Sequence, residues 1–241
     1  MQTLVALYRS FDQANSAMDD LVREGIDRSA ISIMANNTTG DYDRYVKTED
    51  AVKAGEGAVV GAAAGAGIGA AALLGMLAVP GIGPVLAAGP LAAALVGGTI
   101  GAAAGAPTGA VVAAFVKTND IEEEDADIYA EGLRRGGTLL SVQVDDSLAT
   151  HVSAILEKYD PIDLDQEAHT WRERGWDRFN EDAQPLSHEE IAEYRMTRAN
   201  MGLDNGEADD HIEQDNADEG TYRVRSYPRQ GRSQPEHHEV L

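Results

Sequence analysis

Apolar and polar positions over the first 35 residues predict a strand, a helix and a second strand. TLVALY at residues 3–8 is a short apolar run rich in β-forming residues, and AISIMA at residues 30–35 has the same character. Between them, over residues 11–22, apolar side chains recur at the three- and four-residue spacing of one helix face. Residues 1–35 therefore predict a β-α-β unit.

A second patterned region, residues 118–165, predicts the order α-β-α-β. Its first helix begins near NDIEEEDAD and ends before Gly136, and the strand TLLSVQV follows at residues 138–144. Apolar residues over Ser147–Tyr159 again lie on one helix face. PIDLD, at residues 161–165, predicts a last short strand.

Residue types at the helix ends agree with these boundaries. Ser10 followed by Gln13 fits a capping box, and Gly25 supplies a C-terminal stop. Asn119 or Asp120 is the expected N-cap in the second region, because the acids that follow suit the positive end of the helix dipole.

The two regions together predict an α+β fold, a split ferredoxin-like four-stranded sheet with helices on one face. Residues 1–47 would form its first half and residues 118–165 its second half. Residues 48–117 would then be a two-helix Gly/Ala-rich hairpin inserted between the halves. Residues 166–241 are expected to be an acidic, largely disordered tail.

Charged residues and histidine are missing from the middle of the chain. The sixty residues of 57–116 contain no Asp, Glu, Lys, Arg or His. Because prolines and glycines cluster near the centre of this block, we predict a helix over 57–79, a loop over 80–89 and a second helix over 90–117, with Pro90 as its first residue.

Glycine recurs at every fourth residue in both predicted helices. In an antiparallel hairpin the two ladders face each other about residue 83, inside the predicted loop. Such small-residue ladders let helix backbones approach closely and favour a right-handed crossing. The helix-packing residues are Gly57, Gly61, Gly65 and Gly69 in the first helix, and Gly97, Gly101, Gly105 and Gly109 in the second.

The length of the predicted helices is compatible with membrane insertion. At about 1.5 Å per residue the first spans roughly 35 Å, against about 30 Å for a bilayer core. The aromatic belt and the positive-inside signal, which usually accompany spanning helices, are weak. On the strength of helix length we expect a membrane-associated hairpin in contact with lipid. The alternative is a soluble homo-oligomer in which hairpins from several chains bundle together.

Charge and cysteine content narrow the function classes. The formal net charge of -22 leaves no positive footprint for nucleic acid, which we do not expect as a partner. The chain has no cysteine, so disulfides, thiol catalysis and thiolate metal sites are excluded. MQTLVALYRSFDQ lacks the features of a secretory signal peptide, and we expect both termini to be cytoplasmic.

Three stretches resemble the bacterial general stress protein family, which includes heat- and low-temperature-induced members and relatives described as predicted membrane proteins. They are the opening LVALYRSFDQA, the glycine-zipper hairpin, and the Y-x3-L-x2-G-G-x-L-L passage of residues 129–140, and the resemblance covers about residues 3–165. It implies a non-enzymatic, stress-induced protein with an inserted hairpin that associates with the membrane. It implies no catalytic residues.

The sequence contains no recognisable motif for nucleotide binding, metal binding or nucleophilic catalysis. GAGIGA has neither the preceding strand nor the following acid of a dinucleotide site. The six histidines lack the partner spacing that would fix a metal, and no catalytic triad can be nominated. We therefore predict no catalytic residue, no cofactor and no dedicated metal site.

Residues 166–241 hold both tryptophans of the chain. Trp171, Trp176 and Phe179 are candidates to anchor a partner, or else to fold back onto the sheet. A short amphipathic helix is expected over residues 188–202. The segment TYRVRSYPRQGR is a small basic and aromatic island that could contact anionic surfaces or RNA, or serve as a solvated linker.

The function predicted from these observations is that of a non-enzymatic stress-response protein that acts by membrane association or self-association through its glycine-zipper hairpin. One alternative is a soluble oligomeric assembly module. A second alternative is a small-ligand or metal-binding regulatory domain on the sheet.

Overall fold

The computed structural model describes residues 1–45, 75–96, 110–200 and 223–229. They form an α+β fold with a six-stranded antiparallel sheet and seven α-helices. The strands are β1 (Gln2–Tyr8), β2 (Ile31–Asn36), β3 (Gly75–Val79), β4 (Gly83–Ala88), β5 (Thr138–Val144) and β6 (Arg225–Pro228). The helices are α1 (Phe11–Arg23), α2 (Pro90–Val96), α3 (Ala110–Asn119), α4 (Glu123–Arg134), α5 (Asp146–Glu157), α6 (Leu164–Glu173) and α7 (His188–Asn200).

The strand order across the sheet is β3-β4-β2-β5-β1-β6. β5 lies between β1 and β2, which are joined by α1, and it is antiparallel to both. In this register Ala6 of β1 faces Leu140 of β5, and Ile33 of β2 faces the same residue from the other side. The sheet therefore brings β1 and β6, the first and last strands of the described residues, side by side.

Helices cover both faces of the sheet, whereas the sequence predicted helices on one face. Along β1, Leu4, Ala6 and Tyr8 pack with α1 and α5, while Val5 and Leu7 pack with α2, α3, α4 and α6 on the opposite face. β1 and β2 are buried almost throughout, without the alternation of a half-exposed strand. Continuous apolar strands of this kind are typical of a sheet enclosed between two layers.

The local signals at α1 are confirmed. The Ser10 side chain accepts from the backbone N–H of Gln13, and the Gln13 side chain accepts from the N–H of Ser10, which completes the capping box. Gly25 follows the helix with φ +89°. These contacts satisfy donors at the start of the helix and allow the reversal at its end.

Residues 75–88 form a β-hairpin, so the predictions of a helix reaching residue 79 and of a loop over 80–89 are wrong here. Val79 pairs with Gly83 across a tight turn, in which Gly81 has φ +73° and Gly83 has φ +104°. β4 then pairs with β2, which places Leu86 in the core. A short apolar run bounded by glycine and proline fits a buried strand as well as a helix, and partners within the sheet decide between them.

The prediction of one continuous helix over residues 90–117 is also wrong. Pro90 does begin a helix, as expected, but α2 and α3 pack against each other. In one straight helix their centres would be separated by about 30 Å. α2 and α3 are therefore two separate helices, and residues 97–109 between them lie outside the described residues.

Two boundaries near the second half differ from the predictions. α4 has Glu122 as its N-cap, because Asn119 ends α3 and Asp120 has φ +55°. PIDLD is not a strand. Asp163 caps α6 by accepting from the N–H of Gln166 at 3.0 Å, although the Ile162 N–H still donates to Leu7 at 2.7 Å along the sheet edge.

The structure differs from the predicted disordered tail at residues 166–200 and 223–229, which are folded. α7 confirms the short helix that was expected over residues 188–202, and β6 fills the edge beside β1. The rest of the tail and all eight ladder glycines lie outside the described residues. Among the helices of the described ranges, none is long and apolar enough to cross a bilayer.

Candidate functional site

A cavity of about 160 Å³ lies where the end of α4 meets α6, α7 and the end of β1. Four arginines line it together with two aromatic side chains. We name this site the arginine pocket. Its principal side chains are Arg9, Arg135, Trp171, Tyr194, Arg195 and Arg198.

A glycine turn forms the floor of the arginine pocket. After α4, the N–H of Gly136 donates to Leu133 and the N–H of Gly137 donates to Gly132, both at 3.0 Å. Gly136 has φ +92°, and a Cβ there would lie 2.7 Å from Ile191 of α7. The paired glycines of the passage over residues 129–140 therefore let α7 approach the end of α4.

Glu131 holds two arginines at the wall of the pocket. Its buried Oε1 accepts from Arg134 at 3.3 Å and from Arg135 at 2.7 Å. The Arg135 guanidinium also lies 5.0 Å from the centre of the Trp171 ring and 5.2 Å from that of Tyr194, within cation–π range. One carboxylate therefore serves two guanidinium groups, of which Arg135 lines the pocket and Arg134 does not.

A second carboxylate is shared in the same way. Asp160 Oδ2 accepts from Arg9 at 2.8 Å, while Asp160 Oδ1 pairs with Arg223. Arg195 donates to the Gly136 carbonyl at 3.1 Å and lies 3.6 Å from Asp41. Arg9, Arg135 and Arg195 of the pocket lining thus each contact a carboxylate, and two of these carboxylates are shared with a second arginine outside the lining.

A chain of buried hydrogen bonds fixes α7 against α6. Trp171 Nε1 donates to the Tyr194 hydroxyl at 3.0 Å, and that hydroxyl donates to Glu167 Oε2 at 2.8 Å. Glu167 Oε1 pairs with Arg198 at 2.6 Å, and their side chains are 4% and 8% exposed. Burial, followed by the charge of Glu167, raises the pKa of Tyr194, so the phenol keeps its proton.

This arrangement is suited to holding a small anion. Guanidinium groups bind carboxylate and phosphate oxygens by charge-assisted, often bidentate hydrogen bonds. A water molecule occupies about 30 Å³ of liquid, so the cavity has room for roughly five waters or for an anion of similar bulk. Phosphate, sulfate and short carboxylates fall in that range.

The three tail residues proposed as partner anchors, Trp171, Trp176 and Phe179, fold back onto the domain. This is one of the two outcomes that the sequence left open. Trp171 is buried in the pocket wall, and Trp176 meets it edge-on with ring centres 5.6 Å apart. Phe179 is buried beside the β3–β4 turn at Gly81. Their burial within the domain supplies the packing that a partner would otherwise provide.

The sequence did not identify the pocket arginines as a group. Arg9 and Arg135 follow predicted elements without any distinctive motif, and Arg195 and Arg198 lie on the short helix expected over residues 188–202, in a tail that was otherwise expected to be largely disordered. The glycine pair after α4 was the one available signal, because it belongs to the passage that carries the resemblance. Among the described residues, no group of three or more His, Asp or Glu side chains could hold a metal ion.

Residues 223–229 form a second notable feature, which we name the basic strap. β6, within it, pairs with Gln2–Val5 of β1. Arg225 contacts both Asp125 and Asp165, the latter at 2.6 Å, and the Tyr227 hydroxyl donates to Asp125 at 2.6 Å. The anionic surface that the basic and aromatic island contacts is therefore the domain itself.

Comparison with known proteins adds no assignment to this geometry. No protein-family model, no curated protein and no solved structure matches the chain. The resemblance to the general stress proteins consequently stays a prediction that rests on the motifs of residues 3–165.

Proposed function

We propose that this chain is a non-enzymatic binding protein whose α+β domain holds a small anion in the arginine pocket. The observation that carries the proposal is the convergence of four arginines on one cavity of about 160 Å³ in a chain of net charge -22. Arginines in such an acidic chain are expected to be neutralised by excess carboxylates. At this cavity each of the four arginines does contact a carboxylate, and two of those carboxylates are also shared with a further arginine outside the lining, so their charge is divided.

The chemistry of the lining favours binding over catalysis. Arginine keeps its proton throughout the physiological pH range, so it can attract and orient an anion but is a poor proton donor or acceptor. The pKa of Tyr194 is raised, mainly by burial, which also keeps its proton in place. Partial burial reduces the screening of the guanidinium charges by solvent and strengthens their attraction for an anion.

The experiment is a thermal-shift and calorimetric titration of the full chain with phosphate, sulfate and acetate, each compared with chloride at equal ionic strength. At one hundred times its Kd, a ligand raises the free energy of unfolding by about 2.7 kcal/mol. We expect at least one of these anions to stabilise the protein more than chloride does. Equal stabilisation by all salts would refute the proposal.

A pair of variants locates the effect. Arg195→Gln removes a pocket guanidinium whose side chain is 37% exposed, so the fold should survive. We expect anion affinity to fall about tenfold, which corresponds to a charge-assisted contact of about 1.4 kcal/mol. Arg172→Gln is the matched control, because Arg172 pairs with Glu124 away from the pocket. Equal affinities in the two variants would place the anion elsewhere.

We also infer that the core of the sheet is ferredoxin-like. The support is the run β2-β5-β1-β6, in which every neighbouring pair is antiparallel and α1 joins β1 to β2 around β5. On this interpretation, β3 and β4 extend the sheet on the β2 side, and β6 takes the place that PIDLD was expected to fill.

A second candidate function is stress-related self-association or membrane association through the glycine ladders. The sheet holds residues 75–88 and α2 continues to residue 96, which leaves two uncharged segments at positions 57–74 and 97–109. Both segments are shorter than the stretch of about 20 residues that a spanning helix needs. These lengths favour self-association or contact with the lipid surface over the two-helix span that we expected.

Its test is the double substitution Gly65→Leu with Gly101→Leu, and the matched control is Ala64→Leu with Ala102→Leu, one position off each ladder. Size-exclusion chromatography measures oligomeric state, and carbonate extraction of membranes separates integral from peripheral protein. Loss of assembly in the ladder variant alone supports this function. An unchanged oligomeric state and unchanged membrane fractionation would sink it.

A further inference from the structure

We propose that the edge of β1 on the side away from β5, with the neighbouring carboxylates of Asp120, Asp125, Asp160 and Asp165, is a docking surface for an extended basic segment. We name this surface the acidic edge, and the partner it fits is the basic strap of a second copy of this chain. This goes beyond anion binding, since it involves a different part of the molecule. In the structure, the edge is occupied by the chain's own strap. The proposal is that the same contacts also form between two chains.

The strap binds as an added strand. Four residues of β1 pair with it in antiparallel register, from Gln2 opposite Pro228 to Val5 opposite Arg225. The N–H of Arg229 extends the pairing by donating to the Met1 carbonyl at 3.1 Å. In strand addition of this type, main-chain hydrogen bonds supply affinity and side-chain pockets supply specificity.

Specificity comes from acidic side chains on one face of the added strand. Arg225 is clamped between Asp125 and Asp165, and the Tyr227 hydroxyl donates to Asp125 at 2.6 Å. The same hydroxyl lies 3.3 Å from that of Tyr129, which is fully buried. The face therefore selects an arginine followed two residues later by a tyrosine.

Contacts at the ends and on the other face add to this pattern. The backbone N–H of Val224 donates to Glu157 at 2.7 Å, and the Val224 side chain is buried. Arg223 pairs with Asp160, and Arg229 lies 3.7 Å from Asp120. Three arginines of this one short segment thus meet carboxylates on α4, on α6 and in the turns beside the helices.

To dock on a second copy, the strap must be joined to its own domain by a segment long enough to span the distance, and the sequence contains such a segment. Residues 201–222 separate α7 from the strap, and a fully extended chain of that length spans about 75 Å. This segment carries several acidic residues and no Lys or Arg, so it shares the charge of the docking edge and does not compete for it. Because an exchanged strap makes the same contacts as its own, exchange depends on effective concentration and not on new chemistry.

Two full-length variants with different tags test the proposal. Arg225→Glu spoils the strap but leaves the edge intact, and Asp125→Arg spoils the edge but leaves the strap intact. When the two are mixed, the strap of the second can dock on the edge of the first. We expect co-purification at least tenfold above that of either variant mixed with itself. Arg172→Glu with Glu124→Arg, a reversed pair outside the strap, is the control and should show no gain.

A peptide experiment covers the case in which Asp125→Arg does not fold. A labelled peptide of residues 222–230 is titrated into the full-length Arg225→Gln chain and into the wild-type chain, with fluorescence anisotropy as the readout. We expect at least tenfold tighter binding to the variant, because its own strap competes less. Equal binding to both chains, no binding, or equal binding of a peptide with glutamate in place of Arg225 would overturn the proposal.

Discussion

Gly136→Ala is the sharpest test of how α7 meets the end of α4. At φ +92° an L side chain costs about 1–2 kcal/mol in backbone strain. The new Cβ would also lie 2.7 Å from Ile191 Cγ2 and 3.2 Å from Arg195 Nη2. Ile191 is fully buried, and burying such a side chain contributes about 1.5–3 kcal/mol, part or all of which is lost if α7 shifts. We expect a total destabilisation of about 2–5 kcal/mol.

Gly175→Ala is the matched control for this substitution. Gly175 has φ +90°, and a Cβ there meets no atom within 4 Å, so only the backbone strain of about 1–2 kcal/mol applies. The difference between the two variants isolates the packing of α7 on the glycine turn.

Urea unfolding measures that difference directly. Trp171 and Trp176, the two tryptophans of the chain, both lie in this region, so their emission reports on α6 and α7, while far-UV circular dichroism reports on the whole fold. We expect Gly136→Ala to lose more free energy of unfolding than Gly175→Ala by up to about 3 kcal/mol. Equal losses would show that α7 does not pack on the turn and would refute this account of the pocket floor.

Three further predictions concern the core and its charges. Glu167→Gln leaves Arg198 buried beside a neutral partner and should cost about 3–5 kcal/mol, measured as a fall in Tm and in urea midpoint. Burial raises the pKa of the Asp127 carboxyl, so ionisation above about pH 4 opposes folding, and Asp127→Asn should be stabilising relative to wild type at pH 7 but not at pH 3. Gly89→Ala should abolish soluble expression, because at φ +89° its Cβ would overlap the backbone of Ile31.

Each of these predictions has its own check. Glu173→Gln, on an exposed pair with His169, should change stability by less than about 0.5 kcal/mol, and a loss equal to that of Glu167→Gln would contradict the buried-pair argument. If Asp127→Asn changes the free energy of unfolding by the same amount at pH 7 and at pH 3, ionisation of Asp127 does not affect stability. Gly25→Ala has the same φ of +89° and open space, so it should express normally.

Local signals were sufficient for the elements that flank the sheet centre. β1, α1, β2 and β5 follow the predicted positions closely, because the strands are short apolar runs and α1 combines helical apolar spacing with a capping box. The Ser10–Gln13 capping box is formed entirely by neighbouring residues. Such features depend on nearby sequence and can be derived before any tertiary contact is known.

The β3–β4 hairpin could not be derived in the same way. Its strands consist of small and apolar residues without polar alternation, so the run looks like a continuation of the uncharged block around it. What makes it a hairpin within the sheet is the pairing of β4 with β2, which lies much earlier in the chain, at Ile31–Asn36. Non-local pairing of this kind leaves no periodic trace in the strand itself.

The arginine pocket was missed for a related reason. Arg9, Arg135 and Arg195 come from three distant parts of the chain, and the sequence around each of them is ordinary. Composition made the tail look unstructured, since its few apolar residues are diluted by acids. Trp171 and Ile191 are buried nonetheless, because the end of α4 offers a surface that fits them.

The sheet order also determines when this protein can fold during its synthesis. Tyr8 pairs with Thr138, so β1 waits until the chain has been made as far as β5 before its first partner strand exists. At about 5–20 residues per second that delay is roughly 7–26 seconds, during which the apolar β1 has no partner strand. α1 is the exception, since it forms from local signals and packs against both β1 and β2. The Ser10–Gln13 capping box consists of neighbouring residues only, so all of its groups are present long before the first partner strand of β1 has been made.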